Sequence, residues 1–192
     1  FTYSTGDDKI AIHLYAQSQA QLAVAGQTVR IAQKTEYPWA GQTVITVQPQ
    51  KAAAWTIALR VPGWCRRAKL RINGRSLTIA PICRNGYVHI KREWRAGDRV
   101  VLDLTMPIEL IEAHPAVRHD CGRVAIQRGP VLYCIEQADN GGNLNDVLLR
   151  SDQGFTPQRG HTGIFAGIPL LRGKAWRRDP KEWRNTLYQR RG

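Results

Sequence analysis

Polar and apolar side chains alternate along most of this chain, in short runs that Gly, Pro and Asn interrupt. Lys9 to Tyr15 and Trp55 to Val61 are two such runs. A β-strand points successive side chains to opposite faces, so this pattern predicts strands with one buried face. No stretch before Trp176 carries the 3.6-residue periodicity of an amphipathic helix. The chain is therefore predicted to be all-β.

Turn residues divide the chain into strands of similar spacing. Asn73-Gly74 favours the left-handed turn positions of a two-residue hairpin, and Pro62-Gly63 ends a strand. Short strands at roughly 8–12-residue spacing are typical of sandwiches and barrels. Met106-Pro107 is the expected domain boundary. We predict two antiparallel, jelly-roll-like β-sandwich domains in tandem, at residues 1–106 and 107–192.

The pattern weakens in the last third of the chain. Ile108 to Ala113 is predicted to be a strand, whereas Asn140 to Asn145 is a polar, Gly-rich loop. One strand is expected within Ile164 to Leu171. Trp176 to Tyr188 is predicted to be a short helix or disordered.

The chain is strongly basic, with 28 Lys and Arg residues against 15 Asp and Glu and a net charge of +13. An anionic partner is one explanation. Basic tails and solvated strand faces are common, however, so nucleic acid is not the expected partner. No run reaches the ~20 apolar residues of a membrane span. Nothing before Gly6 resembles a signal peptide, so we expect a cytoplasmic protein. Since the first residue is Phe1, either a leader was removed or the chain begins inside a longer protein, and we expect the second because Thr2 to Tyr15 already has the pattern of folded β-structure.

Motifs that carry chemistry are missing from the sequence. The four cysteines form no C-x-x-C pair and are expected to be small buried residues in a reducing compartment. The histidines show no metal-binding spacing, and there is no G-x-S-x-G or G-x-G-x-x-G segment. Glu109 and Glu112 lie on opposite faces of a predicted strand, so they are a poor acid-base pair.

Six tryptophans are many for a chain of this length. Trp55 and Trp94 lie in or beside predicted strands and are expected in the core. Trp39 and Trp64 lie in corners marked by Pro and Gly. A large ring at such a corner caps the core, contacts a neighbouring domain or stacks on a sugar, which makes these two residues the candidate contacts.

Several segments together, in their order and spacing, resemble glycoside hydrolase family 127, the β-L-arabinofuranosidase-like family. They span about residues 9 to 150 and are Thr35 to Gly41, Leu59 to Cys65, Asn73-Gly74, Gly86-Tyr87 through Arg92-Glu93-Trp94 to Gly97-Asp98, Met106-Pro107, His114 to Val117 and Gly122 to Cys134.

The resemblance implies that this chain corresponds to the family's two β-sandwich domains, which follow an N-terminal (α/α)6 barrel. That barrel carries the family's cysteine nucleophile, glutamates and cysteine-rich zinc site. None of those motifs occurs here, and Cys65 and Cys134 match segments outside the barrel. No catalytic, cofactor-binding or metal residue is therefore expected in this chain, and zinc would belong to the barrel. Family members continue past Leu187-Tyr188, so the second domain is expected to be truncated.

The function implied is non-catalytic: the chain packs on the catalytic barrel, its main partner, and hydrolyses little or nothing alone. A stand-alone carbohydrate-binding module is an alternative, with carbohydrate as the partner. A functionless remnant of a truncated hydrolase gene is another, and it predicts non-cooperative unfolding. A nucleic-acid-binding protein is the last, and it predicts affinity that falls steeply with salt.

Overall fold

The fold is given by a computed structural model, and the structure describes residues 1–150, 152, 154–160, 166–179 and 188. The first strands are β1 (Tyr3–Gly6), β2 (Lys9–Ile12), β3 (Ser18–Val24), β4 (Gln27–Thr35), β5 (Gln42–Pro49), β6 (Ala53–Arg60), β7 (Ala68–Ile72), β8 (Arg75–Leu77), β9 (Cys83–Arg84), β10 (Tyr87–Trp94) and β11 (Asp98–Leu104). The described later strands are β12 (Ile108–Glu112), β13 (Val124–Arg128), β14 (Val131–Tyr133), β15 (Val147–Leu148), β16 (Thr156–Arg159), β17 (Pro169–Arg172) and β18 (Trp176–Arg177).

Helical structure among the described residues is confined to short turns. They are α1 (Gln137–Asn140) and 3₁₀ turns at Ala80–Ile82, Arg118–Asp120 and Leu144–Asp146. None of the helices in the described ranges is long and apolar enough to cross a membrane. The all-β prediction is confirmed.

Contacts divide the chain into two units. The first unit contains residues 1–107 and 129–131, and the second unit contains 108–128 and the residues from 132 onward. The first unit is built from two sheets with strand orders β1-β2-β6-β10-β9 and β3-β4-β5-β11-β7-β8. Neighbouring strands run antiparallel, except that β2 pairs with β6 in parallel.

The core of the first unit is formed by the apolar faces of both sheets. Because polar and apolar residues alternate along the strands, each sheet turns one apolar face inward. The largest fully buried side chains are Trp55, Trp94, Ile10, Ile12, Ile31, Ile45, Ile57, Leu59, Leu70, Leu102, Leu104 and Val29. A single cluster contains residues of both sheets, which is the arrangement of a β-sandwich.

Two tryptophans anchor this core, as predicted. Their ring centroids lie 5.7 Å apart, and the indole nitrogen of Trp94 donates to the carbonyl oxygen of Trp55 at 3.0 Å. This hydrogen bond satisfies a polar group that would otherwise be buried without a partner. The guanidinium of Arg92 lies 5.1 Å from the centroid of the Trp94 ring.

The Asn73-Gly74 hairpin is also confirmed. Both residues adopt positive φ, 49° and 83°, and they join β7 to β8. The Asn73 amide donates to Asp98 Oδ1 at 2.7 Å, and Arg95 N donates to Asp98 Oδ2 at 2.9 Å. One buried carboxylate therefore ties this hairpin to the turn that precedes β11.

The second unit has a different character. Its described strands pair as β12 with β13, β15 with β18 and β16 with β17, and it also contains Leu132 and Tyr133 of β14. None of its described apolar side chains is buried. The predicted strand over Ile108 to Ala113 is confirmed as β12.

One prediction for the later part of the chain is wrong, and one short element was not predicted. Trp176 and Arg177 form a strand, not the predicted short helix or disordered segment, because they pair with Leu148 and Val147. Residues 180–187 of that predicted segment lie outside the described residues. The helical turn α1 was not predicted, since four residues are too few to show a helical period. Of the strand predicted within Ile164 to Leu171, Pro169 onward is β17, and Ile164 lies outside the described residues.

Candidate functional site: an aromatic corner of the first unit

Trp39 lies in the segment that connects β4 to β5. Thr35 holds this segment, because its hydroxyl donates to Gln42 O at 2.8 Å and accepts from Tyr37 N at 3.1 Å. The Tyr37-Pro38 peptide is cis, and Trp39 N donates to Glu36 O at 2.9 Å. Trp39 itself is 36% exposed. The segment thus holds a large, half-open ring at the surface.

Trp64 lies in the turn that follows β6. Cys65 N donates to Pro62 O at 2.9 Å, and the Cys65 thiol donates to Arg67 O at 3.1 Å. Cys65 is buried, so it anchors the turn in the core and leaves the neighbouring indole half-buried. The cysteine is thereby a structural anchor of the tryptophan beside it.

Tyr37 connects Trp64 to the core. Its ring stacks on Trp64 with centroids 6.5 Å apart and an angle of 24° between the planes. On its other side it meets the edge of Tyr15, with centroids 6.0 Å apart. Tyr15 is buried, and its hydroxyl donates to Arg60 O. We call the three rings of Tyr15, Tyr37 and Trp64 the aromatic corner.

The two tyrosines of the aromatic corner remain neutral at physiological pH. Burial raises the pKa of Tyr15, and the nearby phenols of Tyr87 and Tyr37 raise it further. Burial also raises the pKa of Tyr37, although its hydrogen bond with Trp64 and the charge of Arg60 act in the opposite direction. The corner consequently offers ring surface without negative charge.

A cavity of about 190 Å³ opens beside the aromatic corner. It is lined by His13, Leu14, Tyr15, Tyr37, Arg60, Pro62, Gly63 and Trp64. Sites for drug-sized ligands usually enclose ~300–1,000 Å³, so this cavity fits one small ring or one inserted side chain. Of the two candidate tryptophans, the structure places Trp64 at the cavity, whereas Trp39 is not among the lining residues.

His13 contributes a polar rim to the cavity. Its Nδ1 lies 2.7 Å from the Tyr87 hydroxyl, and its Nε2 lies 2.8 Å from Ser4 Oγ. Both ring nitrogens are thus engaged by hydroxyl groups, which fixes the orientation of the imidazole. Sequence spacing could not reveal this group, because His13 and Tyr87 are 74 residues apart.

The four cysteines differ in burial. Cys65 is buried as predicted, and Cys83 is half-buried. The prediction of burial is wrong for Cys121 and Cys134, which are exposed because they lie in the unit whose described residues include no buried apolar side chain. Within the described ranges, no group of three or more His, Cys, Asp or Glu residues is placed to hold a metal ion.

Taken together, the sandwich and its aromatic corner define an all-β protein with a ring-lined cavity at one corner of its first unit. Residues 9–106 match the domain described as "Beta-L-arabinofuranosidase, GH127 middle domain". Residues 108–180 match the "Glycoside hydrolase family 127 C-terminal domain". The chain belongs to glycoside hydrolase family 127 and covers a non-catalytic region of that family.

Individual relatives agree with this assignment. The chain is 34% identical over 155 residues to a non-reducing end β-L-arabinofuranosidase of Bifidobacterium longum subsp. longum. Its fold is similar to the crystal structure of a β-L-arabinofuranosidase from Geobacillus stearothermophilus T6, with a TM-score of 0.93 and 41% identity over 98% of this chain. A solved β-arabinofuranosidase of the same family gives a TM-score of 0.83 and 29% identity over 91% of this chain.

The chain corresponds to a minor part of these relatives. It spans 22% of the Bifidobacterium protein and 30% of each of the two solved chains.

Proposed function

We propose that this chain supports and positions the (α/α)6 catalytic barrel of a family 127 glycoside hydrolase. The whole enzyme would cleave β-L-arabinofuranosyl bonds, and this chain would contribute no catalytic group. The observation that carries the proposal is the match to the family's middle and C-terminal domains over 9–106 and 108–180. The zinc of the family would be held by the barrel, whose cysteine and glutamate motifs do not occur in this sequence.

The aromatic corner and Trp39 are proposed to contact the barrel. Interfaces are anchored by large rings in rigid surroundings, and tryptophan is enriched among the residues that carry binding energy. Leu14 and Trp39 are 48% and 36% exposed. Contact of such apolar surface with water is unfavourable, so a partner that covers it gains binding energy. Because hydrogen bonds already hold both loops, binding would cost little ordering entropy.

Docking can be tested by mixing the purified chain with a separately produced family 127 barrel and measuring affinity by calorimetry. Trp39→Ala and Trp64→Ala are each expected to weaken binding by about 30-fold, the loss of a central tryptophan contact. Trp176→Ala removes an exposed tryptophan of the second unit and is the matched control. Equal losses of affinity in all three variants, or no binding by the unmodified chain, would contradict the proposal that the aromatic corner and Trp39 contact the barrel.

The absence of catalysis has its own test. The purified chain is expected to release no arabinose from an aryl β-L-arabinofuranoside, with or without added zinc. Robust, zinc-dependent release would contradict the proposal.

Binding of a sugar at the cavity is the second candidate function. The observation in its favour is the lining itself, in which the Trp64 ring, Arg60 and His13 surround a space suited to one small ring. Titration with arabinan oligosaccharides, followed by tryptophan fluorescence, is the test. Saturable binding that Trp64→Ala abolishes would favour the sugar, whereas no response leaves docking as the role of the corner.

A further inference from the structure

The outward face of the six-stranded sheet concentrates positive charge. Strand register places five exposed cationic side chains there, and we call this surface the basic face. Its cations are Arg30 and Lys34 on β4, Arg99 on β11, and Lys69 and Arg71 on β7. Arg30, Arg99, Lys69 and Arg71 lie at outward positions, because their strand neighbours Val29, Ile31, Val100, Leu70 and Ile72 are buried in the core. Lys34 lies at an outward position beside the buried Gln33.

Register also sets the spacing of these charges. Arg71 lies opposite Val101, and Arg99 lies two residues before Val101 on the same strand. Arg71 and Arg99 are therefore diagonal neighbours, about 7–8 Å apart at their backbones. Lys69 lies two residues before Arg71, about 6.6 Å away along β7. The three cations form a row, and Arg30 and Lys34 lie on β4, which β5 separates from Arg99 and which β5 and β11 separate from Lys69 and Arg71.

Little negative charge balances the basic face. Asp103, opposite Lys69, is the one carboxylate at the outward positions of these six strands. In the part of the chain that the structure describes, no ion pair involves any of the five cations. Their charge is thus available to a partner, and the field of several like charges attracts polyanions.

The neutral residues of the basic face indicate which polyanion fits. Four exposed glutamines share the face, namely Gln19, Gln21, Gln42 and Gln48. Amides donate and accept hydrogen bonds, as sugar hydroxyls require. No aromatic side chain occupies an outward position of these six strands, so the stacking that single-stranded nucleic acids depend on has no platform.

We propose that the basic face binds a polysaccharide whose sugars carry carboxylates. Arg71 and Arg99 would pair with the carboxylates, since a guanidinium matches a carboxylate with two parallel hydrogen bonds. The glutamine amides would bind the hydroxyl groups between them. This site is separate from the aromatic corner and does not depend on docking to the barrel.

The test uses the full 192-residue chain and polygalacturonate, with neutral dextran as the uncharged comparison. Affinity electrophoresis and calorimetry are expected to detect binding to polygalacturonate alone, with affinity that falls as salt rises. The double variant Arg71→Glu/Arg99→Glu is expected to lose affinity by about tenfold or more. The milder Arg71→Gln/Arg99→Gln pair should weaken binding in the same direction, and circular dichroism checks that both variants fold.

The matched control changes the net charge by the same amount, but on the other sheet. Arg84 and Lys91 are exposed on the other sheet, and Arg84→Glu/Lys91→Glu is expected to keep affinity within about threefold. Equal losses in the control and the face variant would overturn the proposal, because net charge alone would then explain binding. Equal or tighter binding of polyuridylate at the same salt concentration would indicate that the basic face binds nucleic acid. The absence of binding to polygalacturonate would overturn the proposal. Trp39→Ala should leave polygalacturonate binding unchanged, so this result is independent of docking.

Discussion

The two units of this chain differ in what holds them together. The first unit encloses a continuous apolar core that includes Trp55 and Trp94, both almost inaccessible to water. In the described part of the second unit, every large apolar side chain keeps contact with solvent, including Leu132 and Trp176. Both units consist of β-strands, so secondary structure alone does not distinguish them.

The difference shows that strand content and burial are separate properties. Removal of apolar surface from water is the main force that stabilises a folded domain. The described first unit therefore contributes most of the burial-derived stability, and the aromatic corner belongs to this unit. A rigid surface favours docking, because binding then costs little conformational entropy.

Cysteine reactivity gives the sharpest contrast between the units. Cys121 and Cys134 are exposed, whereas Cys65 is buried, and burial raises the pKa of its thiol despite hydrogen bonds that act in the opposite direction. Labelling with a disulfide reagent at pH 8 should modify Cys65 about a thousandfold more slowly than Cys121, because it must wait for the core to open. Mass spectrometry of timed samples identifies each site. Similar rates for Cys65 and Cys121 would mean that the reagent reaches Cys65 as easily as a surface thiol, which would contradict its burial in the first unit.

A matched pair of isoleucines measures the same contrast as stability. Ile57 in β6 is 0% exposed, and Ile111 in β12 is 40% exposed. Ile57→Ala should lower the free energy of unfolding by about 2–5 kcal/mol, because it removes buried methyl groups and leaves a cavity. Ile111→Ala should cost less than about 1 kcal/mol. Guanidinium denaturation followed by circular dichroism compares them, and equal costs would contradict the difference in burial.

The sequence predicts the first unit better than the second for a physical reason. Strands such as β4 and β5 have one buried and one solvated face, so their alternation is visible locally. Asn73-Gly74 likewise carries its turn conformation in two residues. Strand β18 has only two residues and is defined by its pairing with β15. No periodic pattern can exist over such a length.

The candidate site could be predicted only in part. Pro and Gly marked the corners that hold Trp39 and Trp64, and the structure places both at or near the surface. The partnership of Tyr15, Tyr37 and Trp64 was not foreseen, because it depends on strands brought together by the fold. The parallel pairing of β2 with β6 was missed for the same reason, since no local pattern specifies a distant partner.

Alanine substitutions at two glycines, one in each unit, test whether the surrounding atoms can move to make room for an added Cβ. A Cβ added at Gly41 would lie 1.9 Å from the backbone oxygen of Leu104, which cannot move without displacing β11. At Gly173 the obstacle is the Phe155 ring at 2.5 Å, a side chain that can rotate. Gly41→Ala should cost about 2–3 kcal/mol and Gly173→Ala about 1 kcal/mol.

Thermal unfolding measures this pair, because 1 kcal/mol shifts Tm by about 2–4 °C in a chain of this size. Gly63→Ala is the control in the first unit, since its added Cβ would meet nothing within 4 Å. A Gly41→Ala variant as stable as Gly63→Ala would show that the backbone of the first unit yields more easily than its packing indicates.

Asp98 links the stability of the first unit to pH. Burial acts to raise the pKa of its carboxyl, but hydrogen bonds from Arg95 N and Asn73, with the charges of Arg92 and Arg95, hold it below its ordinary value of 3.8. The folded state therefore favours the carboxylate, and this stabilisation is complete above the unfolded pKa and is lost as pH falls through the folded one. Asp98→Asn should cost about 1–2 kcal/mol at pH 7, since it weakens hydrogen bonds to a charged acceptor, and the cost should shrink towards pH 2.

Urea denaturation of both proteins between pH 2 and pH 7 measures this effect, and Asp120→Asn provides the comparison in the second unit. Asp120 is exposed, so its replacement should change the free energy of unfolding by less than about 0.5 kcal/mol at pH 7. The unmodified chain should lose more stability on acidification than Asp98→Asn does, because only its carboxylate can be protonated at this position. If the free energies of unfolding of the unmodified chain and of Asp98→Asn fell in parallel down to pH 2, the Asp98 carboxylate would not be what ties the Asn73-Gly74 hairpin to the turn before β11.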